Sequence, residues 1–240
     1  MIKINKKDQN IFVYHNQEPI GFIHYFTNVF HKNNLYLEFH LMEYKLEDSQ
    51  ELFKEIEHSF SMPLQVMLYE DEVEIIRFLM YAGFELKRKC YEYVVGKKDV
   101  KKKVFSNGSL EMITYLESDY KFCVENLYNK YKENHKAISP LTATVEEFSK
   151  DLPKEVVIQK DKKKINHFAF IEKNEIAYIG SFDNGQMEEF LFSVIETLFK
   201  THDTIEFEVD YNDKEMNLLK DCFHSQKSIS YDTFIKSYKK

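Results

Sequence analysis

VVIQKDKKKINHFAFIEKNEIAYIGSFDNGQMEEFLFSVIETLFKTHDTIEFEV, from Val156 to Val209, reads as strand, turn, strand, turn, strand, loop, helix and strand. Val156, Val157 and Ile158 open it, and Lys162 to Lys164 form a lysine-rich turn. From Ile165 to Ile171 the period is two. Ile165, His167, Ala169 and Ile171 share one face, and Asn166, Phe168 and Phe170 the other. Lys173 and Asn174 make the next turn, with Asn174 suited to a left-handed conformation. Ile176 to Phe182 is apolar on both faces, the pattern of a central strand. Asp183, Asn184 and Gly185 end it, and Asp or Asn there suits a helix N-cap. Beyond them Met187, Phe190, Leu191, Val194, Ile195, Leu198 and Phe199 make one apolar stripe at helical spacing, predicting a helix over 186–200. Thr204 to Val209 closes the stretch, with Ile205, Phe207 and Val209 on one face and Glu206 and Glu208 on the other.

The same order recurs more weakly from Ile11 to Leu68. A short edge strand at Met1 to Ile4 precedes a hairpin of Ile11 to His15 with Ile20 to Phe26. Leu35 to Leu41 alternates as a strand. Leu52, Phe53, Ile56 and Phe60 predict a helix over 48–60, and Leu64 to Leu68 a further strand. A helix over 70–81 follows, with Gly83 as its left-handed closing residue, then a strand from Cys90 to Val95. The second half begins with a strand at Leu110 to Leu116 and a helix from Ser118 to His135. The capping pattern of Thr144 to Glu147 starts a shorter helix before Pro153. The first half has no counterpart of these two helices. A last helix carries Met216, Leu218, Leu219, Cys222 and Phe223, and Ser228 to Ile235 forms the terminal strand. The expected fold is α/β (α+β) in two tandem units, each a mixed, mostly antiparallel sheet flanked by helices. The expected boundaries are a truncated unit at 1–96, a linker at 97–109 and a fuller unit at 110–240.

With 240 residues, 43% of them hydrophobic and 15% aromatic, each unit has enough apolar mass for a core. A net charge of −7 argues against a nucleic-acid partner, and the lysines from Lys97 to Lys103 read as a solvated connector. Cys90, Cys123 and Cys222 have no metal-ligand spacing, nor do the nine histidines, so no metal and three reduced thiols are expected. Met1 to Gln9 is polar and lysine-rich, and no run reaches the ~18 apolar residues of a membrane helix. These features predict a cytoplasmic protein without a membrane partner, as a monomer or homodimer.

The order of elements resembles the GNAT superfamily of acyl-CoA-dependent N-acyltransferases. Val13 to Phe22, with Gly21 before an aromatic, resembles that family's second hairpin. Tyr81, Ala82, Gly83 and Phe84 resemble its helix ending in Gly-Phe. The resemblance covers most of the chain, twice over. It implies acetyl-CoA as cosubstrate and an amine of a small molecule or protein as acceptor. It also implies that the fuller second half is the active one, because the helices from Ser118 to Leu152 match the wall of the family's acceptor site.

Acyl transfer from a thioester needs a base for the acceptor amine, a donor to the carbonyl oxygen and a seat for the diphosphate. Carried over by resemblance, the cofactor-binding residues are Ile179, Gly180, Ser181, Gly185, Gln186, Met187 and Asn212. Glu206 and Tyr211 are the candidate catalytic residues. Two departures stand out. The family's general-acid tyrosine is replaced by Leu79 in the first half and Leu218 in the second. The family's loop reads Arg or Gln, two residues, Gly, one residue, then Gly or Ala. Here Asp183, Gln186 and Glu188 hold those places. Carboxylates in the first helical turn suit the helix dipole but repel a diphosphate, so weak coenzyme A binding is expected. The alternative reading is a non-catalytic protein of the same fold that binds a metabolite or a protein partner.

Overall fold

The computed structural model describes residues 1–101, 109–182, 185–224 and 228–238. In chain order the elements are β1 (Ile2–Lys7), β2 (Asn10–His15), β3 (Glu18–Phe26), β4 (Leu35–Leu41), α1 (Ser49–Phe60), β5 (Leu64–Tyr69), α2 (Val73–Tyr81) and β6 (Glu85–Gly96). There follow β7 (Leu110–Thr114), α3 (Ser118–His135), α4 (Val145–Phe148), β8 (Glu155–Asp161), β9 (Lys164–Glu172) and β10 (Glu175–Ser181). The chain ends with α5 (Met187–Leu198), β11 (Thr204–Asp210), α6 (Lys214–Asp221) and β12 (Ser230–Lys236). The result is a mixed α/β protein with mostly antiparallel strand pairing and flanking helices.

Two compact units are interleaved along the chain. One comprises Met1–Lys89, His135–Ala143 and Ile229–Lys240, the other Cys90–Asn134 and Thr144–Ser228. The sequence reading expects two consecutive segments instead, and most of its linker, 102–108, lies outside the described residues.

In the first unit the strands run β1-β2-β3-β4-β5-β12, parallel only between β4 and β5. One face of the sheet buries Ile11, Val13, Ile23, Leu37 and Val66 against Leu52, Phe53 and Ile56 of α1 and Phe78 and Leu79 of α2. Phe234 joins this core from β12, at the far end of the chain. Gly21 has φ +134°, and a Cβ there would overlap the carbonyl oxygen of His40 on β4, which explains a glycine inside β3. Gly83, at φ +89°, closes α2 as expected. That helix begins at Val73 rather than Glu70, because Glu72 turns back: its N–H donates to the Tyr69 carbonyl and its carboxylate accepts from the Tyr69 N–H.

In the second unit the order is β6-β11-β10-β9-β8-β7, parallel only between β10 and β11. Phe190, Leu191, Val194, Ile195 and Leu198 of α5 pack on Ala169, Ile171, Ile179, Ile205 and Phe207. Tyr93 and Val95, on the part of β6 that belongs to this unit, complete the core, with Tyr93 stacked on Phe207 at 5.2 Å. Each unit is thus finished by the strand that ends the other half of the sequence. At the turn between β9 and β10 the left-handed residue is Lys173 (φ 57°), not Asn174. The Asn174 amide donates instead to Thr204 Oγ1 and Glu206 Oε1 on β11.

Candidate functional site

β10 and β11 run parallel but share one register pair, Glu175 with Glu206, reinforced by the Glu206 N–H donating to the Asn174 carbonyl. Just beyond it, between Ile176 and Tyr178, β10 carries a bulge against β9. A bulge bends its strand and sharpens the local twist, and past it β10 has no further register pair with β11, which leaves a wedge between them. A cavity of about 330 Å³ lies there, lined by Gly180, Ser181 and Phe182 at the end of β10, by Phe168 of β9, and by Asn212, Lys214 and Glu215 after β11. From α3 come Asn126, Lys130 and Asn134, spaced four residues apart and so on one helical face.

Lys130 is the best-connected group in the wedge. Its ammonium donates to the Ile179 carbonyl (3.0 Å), to Asp213 Oδ1 (2.9 Å) and to Glu215 Oε2 (2.8 Å). The side chains of all three charged residues are at most 23% exposed. Asp213 is also the N-cap of α6, accepting from the Met216 N–H at 3.1 Å. One lysine therefore ties α3 to the central strand and to the start of α6.

The other end of the wedge leads to the N-terminus of α5. His167 is buried on β9 and holds this turn. Its Nε2 lies 2.8 Å from the Gly185 carbonyl, which can only accept, so Nε2 carries the proton; Nδ1 lies 2.8 Å from Ser181 Oγ. The ring stacks on Phe190 of α5 at 5.4 Å. Gln186 is the N-cap, left-handed at φ 59° and without a side-chain cap bond. Asp183 and Asn184, proposed from the sequence as cap and loop residues, lie outside the described residues. Around the helix start is a cavity of about 780 Å³ lined by Gln186, Met187, Glu188, Glu189, Leu191, Phe192, Leu218, Asp221, Cys222 and Lys101. Three carboxylates face one ammonium there. Burial pushes the Cys222 thiol up to about 12, and the charges of Glu188 and Asp221 add to it.

Of the residues proposed from the sequence, Gly180, Ser181 and Asn212 meet at the first cavity, and Gln186 and Met187 at the second. Ile179 contributes the carbonyl bonded to Lys130, and Gly185 the carbonyl bonded to His167. Glu206 is not brought to these residues. It sits at the closed end of the wedge, bonded to Asn174, among carboxylates that include Glu175. Burial first, and then Glu208, Glu172 and Glu206, raise the Glu175 carboxyl above its usual range. Tyr211 is 59% exposed and lines neither cavity. Lys130, Glu215 and the amides of Asn126 and Asn134 were missed, although the four-residue spacing on α3 marks a polar stripe that no core packing requires.

The first unit has a similar wedge, with β4 and β5 paired only at Leu35 with Leu64 and Tyr36 with Gln65. Its helix start is taken up internally. Asp48 pairs with His15 at 2.7 Å, and Glu51 accepts from the Ile2 N–H at 3.1 Å. Among the described residues no group of three or more His, Cys, Asp or Glu is placed to hold a metal ion, and no helix is long and apolar enough to cross a membrane.

No protein-family model matches the sequence, and no curated protein matches it. Solved structures do. A GCN5-related N-acetyltransferase from Sphaerobacter thermophilus superposes with a TM-score of 0.60 at 10% identity, covering 97% of this chain and 81% of that one. A GNAT-family acetyltransferase from Colwellia psychrerythraea gives 0.53 at 12% identity, over 96% and 85% of the two chains. A GCN5-related N-acetyltransferase from Anabaena variabilis gives 0.53 at 12% identity over 96% of this chain, which spans only 63% of that protein. The fold is therefore that of the GCN5-related N-acetyltransferases.

Proposed function

We propose that the second unit is an N-acyltransferase, taking an acyl thioester between β10 and β11 and passing the acyl group to an amine of a small molecule or protein. The observation that carries this reading is the open wedge itself, where the end of β10 and Asn212 line one cavity with Lys130 and the α3 amides. The thioester supplies the electrophilic carbonyl. The side-chain amides of Asn126, Asn134 and Asn212 are donors at hand for the oxygen on which charge develops. Glu215 is the carboxylate of this cavity and the candidate proton acceptor, directly or through water.

Acetyl-CoA suits the wedge better than it suits the start of α5. Glu188 and Glu189 occupy the first turn, where a diphosphate needs unopposed N–H groups, and Lys101 is the one cation among the residues lining that cavity. This favours weak binding of acetyl-CoA, and it is the observation behind a second reading, in which the wedge binds a metabolite or protein partner without turnover.

A thermal-shift titration with acetyl-CoA separates the two. Ligand at about 100 times its dissociation constant adds about 2.7 kcal/mol of stability. A shift in the wild type, joined by release of free thiol with an amine panel, supports transfer. No shift at millimolar acetyl-CoA, in the wild type or in a Glu188→Gln/Glu189→Gln variant, leaves the non-catalytic reading.

A further inference from the structure

At the mouth of the wedge two large rings stand in solvent. Phe122 of α3 is 45% exposed and Phe182, just past β10, is 42% exposed. A single exposed phenylalanine needs no explanation. These two stack on each other, with centroids 5.1 Å apart and planes 29° apart. A third ring, that of the buried Phe168, lies 5.7 Å from Phe182. It rests on Gly180, where any Cβ would overlap it, so the glycine gives the aromatic wall its place on the strand. Phe168 and Phe182 line the cavity, and Phe122 stands one turn before Asn126 on the polar stripe of α3.

The charges of the cavity are balanced. Lys130 and Lys214 line it with Glu215, Asp213 stands beside it, and Lys130 already engages both carboxylates. A polycation needs a surplus of carboxylates, which this cavity lacks. One ammonium or neutral amine can approach Glu215, while a flat apolar group is served by the stacked rings and neutral polar groups by the three amides.

We infer that the wedge of the second unit selects an amine bearing an aromatic ring, with Phe182 and Phe122 as the residues that determine this specificity. The inference rests on the acyl-transfer reading for the amine's role as acceptor. The binding itself does not require acetyl-CoA.

The test is calorimetric titration of the intact protein, without acetyl-CoA, with 2-phenylethylamine, hexylamine and spermidine. 2-Phenylethylamine is expected to bind most tightly, and Phe182→Ala to weaken it about fivefold through loss of ring stacking. Phe182→Leu, which keeps apolar bulk, should fall between, and the exposure of the ring leaves the fold of either variant intact. The inference is overturned if spermidine or hexylamine binds as tightly, if Phe182→Ala leaves the affinity unchanged, or if the wild type binds no 2-phenylethylamine. Binding of acetyl-CoA without 2-phenylethylamine sinks this inference and spares acyl transfer. Binding of 2-phenylethylamine without acetyl-CoA does the reverse.

Discussion

Lys130 spends its three ammonium protons on one carbonyl and two carboxylates. Replacing it with methionine removes the ammonium that Asp213 and Glu215 share. The bridge is mostly covered, so Lys130→Met is expected to cost about 2 kcal/mol, between the ~0–1 of exposed pairs and the ~3–5 of buried ones. The midpoint of urea unfolding measures this, and an unchanged midpoint would mean that the bridge contributes nothing. The three cysteines are buried thiols outside any disulfide, and burial pushes Cys123 and Cys222 up to about 12. Thiolate is the reactive form, so native protein at pH 8 should resist iodoacetamide, while unfolded protein takes up three equivalents. Rapid alkylation of Cys222 in the native state would contradict this. Glu70 titrates below the usual carboxylate range, held there by hydrogen bonds from Ser230 and Lys89. A carboxyl with a depressed native pKa contributes stability that is fully present above its unfolded value and lost as pH falls through the native one. Its contribution should therefore begin to fall near the unfolded glutamate pKa of about 4.3 and vanish only below the lower native value. The stability gap between wild type and Glu70→Gln, followed from pH 7 downward, should close in that range and nowhere above it.

α5 shows how one element serves two demands. Its apolar stripe was readable in the sequence because a buried helix must repeat near 3.6 residues, and the observed helix lies within the span expected for it. Glu188 and Glu189 favour the helix through the dipole at about 0.3–1 kcal/mol each, and oppose an anion at the same end. The Glu188→Gln/Glu189→Gln variant should thus lose about 1 kcal/mol of stability, read by urea unfolding, and at the same time bind acetyl-CoA more tightly. A variant that is less stable but no better at binding would separate the helix from the ligand. β10 makes the complementary point. Its double-sided apolar pattern announced a central strand, yet nothing in Ile176, Ala177 and Tyr178 announces the bulge against β9 or the single register pair with β11. A bulge is a register event between two strands, and one strand's sequence does not contain it.

On the scale of the whole chain, the two units exchange their closing strands. β12 brings Phe234 to the core of the first unit, and β6 brings Tyr93 and Val95 to that of the second. A fragment of residues 110–240 therefore lacks the strand that pairs along β11 and buries its aromatic face. It is expected to stay unfolded or aggregate alone, as judged by circular dichroism and gel filtration, and to fold when co-expressed with residues 1–109. Independent folding of the fragment would refute the exchange. The sequence alone determined where strands and helices lie, which faces are apolar, and the order of elements that resembles an acyltransferase, because these follow from local period and turn chemistry. Gly180, Ser181 and Asn212 came only through that resemblance, by carry-over of position. Only the tertiary structure decided that Lys130 and Glu215 meet in the wedge, that Glu206 lies at its closed end, and that each unit borrows its last strand. Those facts depend on contacts between residues many tens of positions apart, and two strands of similar pattern can satisfy either partner until the whole core is packed.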